Sequence, residues 1–346
     1  MIPSDLIEKL SGDLKIKEIK LIEKDLYLQG LLLEFAKSEY FAENFAFKGG
    51  TCLTKAYFGY YRFSEDLDFT WMNRKVFEGK SENQIRKMLS KEINKIMELF
   101  ASTAKGLELD FKPEKPNRHY VQLGGSNRFA TFKFWYMPVT KESETFVKVQ
   151  LNFADEIVHE PKKHKIKAIA IQQREELEME YPKHSALATS SPSFYCYDLK
   201  EMAAEKIRAL LTRRGFKARD IIDLYVLAKE GITINSVKTM AAEKTKFMLK
   251  YLKYGENLKN KKFEKEFRIG EEQRLAIKQM DKGFEKFAVK TLKELNEVAE
   301  EFRQKIKQKN CIELELVKKK LKKEEGKMKK KGSTYLSEKK ALSRYK

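Results

Sequence analysis

Residues 47–69, FKGGTCLTKAYFGYYRFSEDLDF, constrain the fold of this chain more than any other stretch. The short apolar run NFAF ends just before Gly49 and Gly50, and the following CLTKAYF has the composition of a helix. Thr51 is the expected N-cap of that helix, and Gly59 is its expected end. The alternation of polar and apolar residues in DLDFTWM then predicts a strand. The stretch is therefore expected to fold as strand, glycine turn, helix and strand.

The last strand of this stretch carries two acidic residues, Asp66 and Asp68. Because side chains alternate between the two faces of a strand, these carboxylates share one face, and Leu67 and Phe69 share the other. Neighbouring carboxylates repel each other unless they stand in water at a strand edge or hold a cation between them. Mg²⁺ suits the second arrangement, since it binds through one or two carboxylates and shares the phosphates of its substrate. The pair alone leaves both interpretations open, a solvated strand edge and a magnesium site.

The glycine turn offers a place for an anion. Gly49 and Gly50 have no side chains to keep a phosphate from the backbone, and Thr51 opens a helix whose free N–H groups favour negative charge. An ordinary tight turn into a helix is the alternative. The spacing matches neither a P-loop nor a dinucleotide-binding fingerprint. Together with the acidic pair, the turn predicts a nucleoside triphosphate held by its phosphates at one end and by Mg²⁺ at the other.

The rest of the chain predicts an α+β fold. A β-hairpin is expected to turn near Gly124 and Gly125, and TFVKVQLNF reads as a further strand. After about residue 190 regular strand signals stop and helical patterns follow. We therefore expect a mixed-sheet domain over 1–190 and a helical domain over 191–317. The lysine-rich tail over 318–346 is either a basic arm or a frayed end.

Composition narrows the class of partner. The 346 residues carry a formal net charge of +20, which indicates a polyanionic partner such as nucleic acid, although a lysine-rich solvated surface is the alternative. Three widely spaced cysteines, Cys52, Cys196 and Cys311, exclude a disulfide framework and favour a reducing cytoplasm. No apolar stretch approaches the length of a membrane span, and the N-terminus does not have the pattern of a signal peptide. We expect a cytoplasmic monomer with no membrane contact.

The pattern of a Gly-Gly turn, a helix and an acidic pair on a strand resembles the polymerase-β-like nucleotidyltransferase superfold. More narrowly, FKGGTCLTKAY followed by RFSEDLDF resembles the AbiEii family, the toxins of type IV toxin–antitoxin systems. Two further stretches, EKDLYLQGLL and KEMAAEKIRALLTRRGFKARDIIDLYVL, also resemble that family. The resemblance covers roughly residues 20–230, and it is specific because it rests on the combination of these motifs.

The resemblance implies a Mg²⁺-dependent nucleotidyltransferase that moves a nucleotidyl group from a nucleoside triphosphate to an acceptor hydroxyl. RNA is the expected acceptor, with transfer RNA favoured by the family, and a cognate antitoxin is an expected partner. Asp66 and Asp68 would bind the metal and be catalytic. The alternatives are a nucleotidyltransferase that modifies a protein or a small molecule, and a catalytically inactive nucleic-acid-binding member of the fold.

The number of metals stays open. Members of this fold often carry a third carboxylate on a later strand, but the strand VKVQLNF presents Lys148, Gln150 and Asn152 on one face, with no acid. Asp155, just beyond that strand, is the nearest substitute. One metal and two metals are both compatible with the sequence.

The resemblance also assigns a second set of residues. Lys206, in the A-E-K motif, would bind the triphosphate and act in catalysis, with Arg213 and Arg214 as possible partners. Asp220 would be an active-site residue that orients Lys206 or acts as a base. The alternatives are a surface role for Lys206, and an Arg219–Asp223 helix pair beside a solvated Asp220.

Two expectations concern placement. The active site should lie in a cleft with Asp66 and Asp68 on one wall and Lys206 on the other. The aromatic residues of the opening stretch are expected to pack in the core rather than to stack on a nucleobase: Tyr57, Phe58, Tyr60 and Tyr61.

Overall fold

A computed structural model describes residues 2–249, 252–264, 266–275, 277 and 281–330. The chain divides into two compact units, one up to residue 295 and one from residue 296 onward. The first unit contains the sheet and the residues discussed below. Within the second unit the described residues are helical. The predicted boundaries near residues 190 and 317 stay predictions, and residues 331–346 of the lysine-rich tail lie outside the described residues.

A seven-stranded mixed sheet forms the centre of the first unit, in the order β3-β4-β5-β2-β1-β7-β6. Its strands are β1 (Phe45–Lys48), β2 (Asp66–Trp71), β3 (Val121–Gly124), β4 (Phe129–Tyr136), β5 (Thr145–Asn152), β6 (Lys162–Lys165) and β7 (Ser193–Cys196). Strand β2 is antiparallel to β1 and parallel to β5, and β4 is antiparallel to β5. Helices pack around this sheet, so the α+β prediction is confirmed.

The described helices follow the pattern of long amphipathic segments with short connecting turns. They are α1 (Ser4–Leu14), α2 (Ile19–Lys37), α3 (Glu39–Asn44), α4 (Gly49–Cys52), α5 (Glu82–Gly106), α6 (Arg174–Glu180), α7 (Ser185–Thr189), α8 (Leu199–Thr212), α9 (Ala218–Lys229), α10 (Ile234–Met248), α11 (Leu252–Asn260) and α12 (Gly283–Lys330). A π-helical turn, Leu53–Phe58, continues α4. Three 3₁₀ turns are Arg74–Phe77, Ile171–Gln173 and Gly270–Leu275. In the described part of the chain, no helix is both long enough and apolar enough to cross a membrane.

The core lies against one face of the sheet and is rich in phenylalanine. Phe35 of α2 stacks on Phe100 of α5 with ring centroids 4.6 Å apart, and Phe41 stacks on Phe45 at the same separation. Each buried phenylalanine removes a large apolar surface from water, which stabilises the packing of α2 and α5 on the sheet. Alternate residues of β4 and β5 point into this core, and the residues between them face the other side.

The structure differs from the sequence prediction at the last strand of the sheet. Strand signals were expected to stop near residue 190, but β7 pairs with β1 and β6 and extends the sheet. This short strand is flanked by a loop and a helix, so its four residues give little periodicity. The hairpin at Gly124 and Gly125 is confirmed as the turn between β3 and β4.

Candidate active site

A cleft of about 380 Å³ opens between the sheet and helices α8 and α9. Six of the seven residues predicted for catalysis or nucleotide binding line it: Gly49, Gly50, Asp66, Asp68, Lys206 and Asp220. The acidic pair comes from β2 on one side, and Lys206 and Asp220 come from α8 and α9 on the other. Residues that are far apart in the sequence are thus brought to one cavity, as the prediction required. Their chemical roles stay predictions.

The acidic pair is positioned by the register of the sheet. Asp66 lies opposite Lys148 of β5, and Asp68 lies opposite Gln150. Lys148 Nζ is 3.0 Å from Asp66 Oδ1, and Gln150 Nε2 donates a 2.7 Å hydrogen bond to Asp68 Oδ1. Burial, and then the negative charge of Asp66, raise the pKa of Asp68. The wall formed by β2 and β5 therefore holds one carboxylate paired with a lysine and a second one paired only with an amide.

Glycine is needed at positions 49 and 50 even without a ligand, because neighbouring side chains leave no room for a Cβ. Gly49 has φ +79°, and a Cβ there would lie 2.5 Å from Asp68 Oδ2. A Cβ on Gly50 would lie 2.2 Å from Nη2 of Arg62. A branched side chain at Gly50 would thus displace Arg62 before it met a phosphate. Substitution of Gly50 cannot separate a phosphate cradle from an ordinary packed turn.

Thr51 does not have the local role that the sequence predicted. The helix begins at Gly49 and its N-cap is Lys48, so the prediction of Thr51 as the N-cap is wrong. The Thr51 hydroxyl donates to the main-chain carbonyl of Asp66, and its side chain is not part of the cleft lining. Gly49 has a positive φ, and the helix begins there, three residues before the predicted start at Cys52. Thr51 therefore lies inside α4, where its hydroxyl ties the helix to β2.

An ion network forms the opposite wall. Lys206 Nζ lies 2.8 Å from Asp220 Oδ1 and 2.6 Å from Asp223 Oδ2. Arg62 donates two hydrogen bonds of 2.7 Å to the carboxylate of Asp223. Arg213 Nη1 lies 2.8 Å from Asp220 Oδ2. We call these five residues, Arg62, Lys206, Arg213, Asp220 and Asp223, the helix-wall network. The alternatives of a surface Lys206, a solvated Asp220 and an Arg219–Asp223 pair are wrong.

Mutual pairing fixes the charges of this network. Burial alone would raise the pKa of Asp223, but Arg62 and Lys206 hold it well below its usual range. Burial also opposes the charged form of Lys206, but Asp220 and Asp223 raise its pKa above the ordinary value. The helix-wall network is therefore fully ionised at neutral pH, and Lys206 presents a fixed positive charge to the cleft.

Cations outnumber acids around the cleft. Its lining holds eight lysines and arginines against four acidic residues. The basic residues are Lys48, Arg62, Lys148, Lys206, Arg208, Arg213, Lys217 and Arg219. Lys217 is half-buried, and it makes no ion pair with a residue that the structure describes. Burial, and then Arg219 and Arg213, lower the pKa of Lys217, so an incoming anion would relieve an existing repulsion.

Asp155 does not join the acidic pair. Its Oδ2 lies 2.8 Å from Lys48 Nζ and accepts a hydrogen bond from the Tyr197 hydroxyl, and Lys244 Nζ is 3.3 Å from its Oδ1. The carboxylate is buried and committed to these partners. Asp155 is therefore a structural anchor behind the cleft, and its geometry does not make it a substitute for a third acid.

The acidic pair fits a divalent cation. Asp66 and Asp68 share one face and line the cleft, and burial, followed by the charge of Asp66, raises the pKa of Asp68. Across the residues that the structure describes, no group of three His, Cys, Asp or Glu side chains is placed to hold a metal. A Mg²⁺ ion here would bind through these two carboxylates and complete its shell with water and substrate phosphates.

Sequence reasoning did not assign roles to several cleft residues. Arg62 and Arg219 stood in motifs that carry the family resemblance, RFSEDLDF and FKARDIIDLYVL, so a signal was present. Lys217 lies in the second of these motifs as well, whereas Lys148 gave no signal of its own because it is an ordinary strand lysine. Of the aromatics of the opening stretch, Tyr61 is buried and its hydroxyl donates a 2.8 Å hydrogen bond to Asp223, whereas Tyr57, Phe58 and Tyr60 are half-buried.

The family model described as nucleotidyl transferase AbiEii toxin, type IV toxin–antitoxin system, matches residues 31–308. The chain belongs to the AbiEii family. Its family is thus one of toxin nucleotidyltransferases, which confirms the resemblance seen in the sequence.

A solved structure shares the fold, and a second aligns more weakly. MenT4, a nucleotidyltransferase toxin from Mycobacterium tuberculosis, aligns with a TM-score of 0.55 and 18% identity over 85% of this chain and 90% of that chain. JHP933 from Helicobacter pylori aligns with a TM-score of 0.39 and 16% identity over 86% of this chain and 99% of that chain. At this identity the likeness to MenT4 concerns the fold. A comparison with curated proteins gives no significant match.

Proposed function

We propose that this AbiEii-family protein transfers a nucleotidyl group from a nucleoside triphosphate to a hydroxyl of RNA, with Mg²⁺, and releases pyrophosphate. The observation that carries the proposal is the arrangement of the cleft. Two adjacent carboxylates on β2 face a wall of fixed cations on α8 and α9, within one cavity. Such an arrangement can hold a metal–triphosphate complex between its two walls.

The acidic pair would hold the metal. Asp66 and Asp68 bind the cation, and the cation supplies neutralisation of the charge that develops on the phosphates. Lys148 and Gln150 keep the two carboxylates in place through the contacts described above. The sheet holds these side chains in position, because all four residues lie on its strands.

The cations of the opposite wall would hold the triphosphate. Lys206 offers a fixed charge, and Lys217 offers an ammonium with no ion-pair partner among the described residues. Gly49 and Gly50 would bring the backbone close to the phosphates, which is the role predicted from the sequence. Binding energy then comes from charge-assisted contacts to phosphate oxygens.

Asp220 is better suited to orient Lys206 than to act as a base. Burial would raise the pKa of Asp220, but Lys206 and Arg213 lower it below its ordinary value. A carboxylate held ionised by two cations has little tendency to accept a proton. The role of Asp220 that the geometry favours is to fix the Lys206 ammonium at the edge of the cleft.

RNA is the acceptor that the charge favours. The chain carries a formal net charge of +20, and the cleft has an excess of lysine and arginine. Counterion release from phosphates turns such an excess into affinity for nucleic acid. We further propose transfer RNA as the natural acceptor, a cognate antitoxin as a partner, and a cytoplasmic monomer as the working form.

One observation favours a second candidate, a nucleic-acid-binding protein without turnover. Strand β5 places Lys148 and Gln150, and no acid, opposite Asp66 and Asp68, whereas members of this fold often carry a third carboxylate on a later strand. If the protein is active without a third acid, two carboxylates would hold a single metal. Catalysis and binding are separable by experiment.

The test is to incubate the full chain with each labelled nucleoside triphosphate and total RNA, with Mg²⁺ and with chelator. We expect label to enter RNA only with Mg²⁺, and Asp66→Ala and Asp68→Ala to reduce incorporation by about 10³-fold or more, since each removes a metal ligand. Glu98→Ala, on the exposed side of α5, is the matched control and should keep wild-type incorporation.

Two results would decide against parts of the proposal. RNA that binds the protein but gains no label with any nucleotide would favour the non-catalytic candidate. Label that enters protein or small molecules but not RNA would replace the acceptor while leaving the transferase activity intact.

A further inference from the structure

The face of the sheet that carries the acidic pair continues across two more strands. Asp66 of β2 lies opposite Lys148 of β5, and Lys148 lies opposite Lys133 of β4. Adjacent strands are about 4.8 Å apart, so Lys133 stands about 10 Å from Asp66 across the sheet. The intervening residues of β4 and β5 face the core, for instance Phe132 and Val149. The side chains at and beyond Lys133 therefore stand on the face that bears the candidate metal ligands.

Aromatic rings stack next to Lys133 on this face. His119 lies flat on Trp135, with ring centroids 4.2 Å apart and planes 7° apart, and Trp135 meets Phe146 at 4.6 Å. Lys133 Nζ stands 5.2 Å from the centre of the Phe146 ring and 6.0 Å from that of Trp135. His119 is exposed, and the other three side chains are half-buried. We call these four residues, His119, Lys133, Trp135 and Phe146, the stacking patch.

A second cavity connects the patch with the acidic pair. It has a volume of about 360 Å³, and its lining includes Phe146 from the patch and Asp66 from the pair. Lys148, Lys217 and Arg219 line both this cavity and the main cleft. Lys24 of α2 adds a further cation on the outer side. The same lining also holds Glu65 and Glu272, which lie 3.4 Å from Lys24 Nζ and 3.6 Å from Arg219 Nε. A polyanion in this cavity would pass from the Phe146 ring to Asp66 beside Lys148 and Lys217.

From this continuity we infer that the stacking patch binds unpaired nucleotides of the acceptor strand, next to the hydroxyl that enters the cleft at Asp66. The inference rests on the proposed function for the identity of the acceptor. Its chemistry is that of single-stranded nucleic acid: rings stack on bases, and lysines contact phosphates. A paired duplex hides its bases from such a patch, so a free end or loop is the form that fits.

Intrinsic fluorescence offers a direct test, because the chain has two tryptophans. Trp71 is 6% exposed in the core, whereas Trp135 belongs to the patch. Titration with a single-stranded RNA of about 12 nucleotides, within the site sizes typical of such binders, should quench Trp135. The Trp71→Phe variant should keep this quenching, and Trp135→Phe should lose most of it. A blunt duplex of the same sequence should quench less.

The affinity for the same RNA should depend on the aromatic rings of the stacking patch. Loss of one stacking ring should weaken binding roughly ten-fold in Trp135→Ala and in Phe146→Ala, while Trp135→Phe keeps most of the affinity. Calorimetry should show unchanged affinity of these variants for the nucleoside triphosphate. Tyr195→Ala is the matched control, because Tyr195 pairs with Lys163 at 4.8 Å on the far side of the same sheet. It should leave RNA affinity unchanged.

The outcomes separate this inference from the proposed function. If wild-type protein labels RNA but neither alanine variant loses RNA affinity, the patch is not an RNA surface and the proposed function stands. If single-stranded RNA quenches Trp135 but no label enters RNA, the patch binds nucleic acid and the proposed function fails. Equal quenching by duplex and single strand, or no quenching by either, would overturn the inference.

Discussion

The two walls of the cleft differ in how their acidic residues are paired with cations. On the helix wall, Asp223 receives Arg62 and Lys206, and Asp220 receives Lys206 and Arg213, so each acid has two cations within 2.8 Å. On the strand wall, Asp68 accepts a hydrogen bond from the Gln150 amide and has no ion-pair partner among the described residues, and burial together with Asp66 raises its pKa. The helix wall is electrostatically complete in the protein alone. In the proposed function, a bound cation completes the strand wall.

This difference predicts that substitutions on the two walls separate stability from activity. The largest effect on stability belongs to Asp223, which is fully buried between Arg62 and Lys206. Asp223→Asn keeps the shape but leaves the Arg62 guanidinium buried without its carboxylate. Breaking a buried ion pair in this way costs about 3–5 kcal/mol. Urea unfolding of the variant should show this loss, and Glu98→Ala should show none; a loss below about 1 kcal/mol would mean that the helix wall is not held by its ions.

The loss of stability in Asp223→Asn should depend on pH, and the direction of that dependence tests the ion pairing. Arg62 and Lys206 hold the pKa of Asp223 below its value in the unfolded chain, about 3.9. Its stabilisation is therefore present in full well above pH 3.9 and is lost as the pH falls toward the lower folded pKa. The gap between wild type and Asp223→Asn should stay constant from pH 7 to about 5 and shrink below about 4. A gap that widened on acidification would contradict the ion pairing.

The sequence explains the strand wall better than the helix wall, and the reason is distance along the chain. Asp66 and Asp68 share a face because of the two-residue period of a strand, which is a local property. The same period placed Lys148 and Gln150 together on β5, and the register confirms both placements. Patterns within a few residues were sufficient for this wall.

The helix wall depends on partners that local patterns cannot supply. Arg62 and Asp223 are 161 residues apart, and the tertiary fold brings α9 next to the segment that precedes β2. The reading of Arg219 with Asp223 failed because four-residue spacing suggested a helix pair, whereas α9 turns Asp223 inward toward Arg62. Burial outweighed helical spacing here, since an inward acid needs a cation that is also buried.

A smaller effect is expected at Lys217, which lies between the two walls. Because it has no acid partner in the described part of the chain, Lys217→Ala should leave the free energy of unfolding unchanged. Loss of one charged contact to a phosphate should weaken nucleoside triphosphate binding about ten-fold. Calorimetry on this variant and on Lys200→Ala, an exposed lysine of α8 outside the cleft, would measure the difference. Equal affinity in the two variants would remove Lys217 from the phosphate site.

The contrast between the walls is tested most directly by the stabilisation that Mg²⁺ and nucleoside triphosphate give to wild type and to Asp68→Asn. A ligand that binds only the folded protein adds about 2.7 kcal/mol at a concentration of one hundred times its Kd. Wild type should show such a gain in urea unfolding at pH 7, and Asp68→Asn should show almost none while being at least as stable as wild type without ligand. An equal gain in both proteins, or an Asp68→Asn protein destabilised by several kcal/mol without ligand, would contradict the account of the strand wall as a site completed by a bound cation.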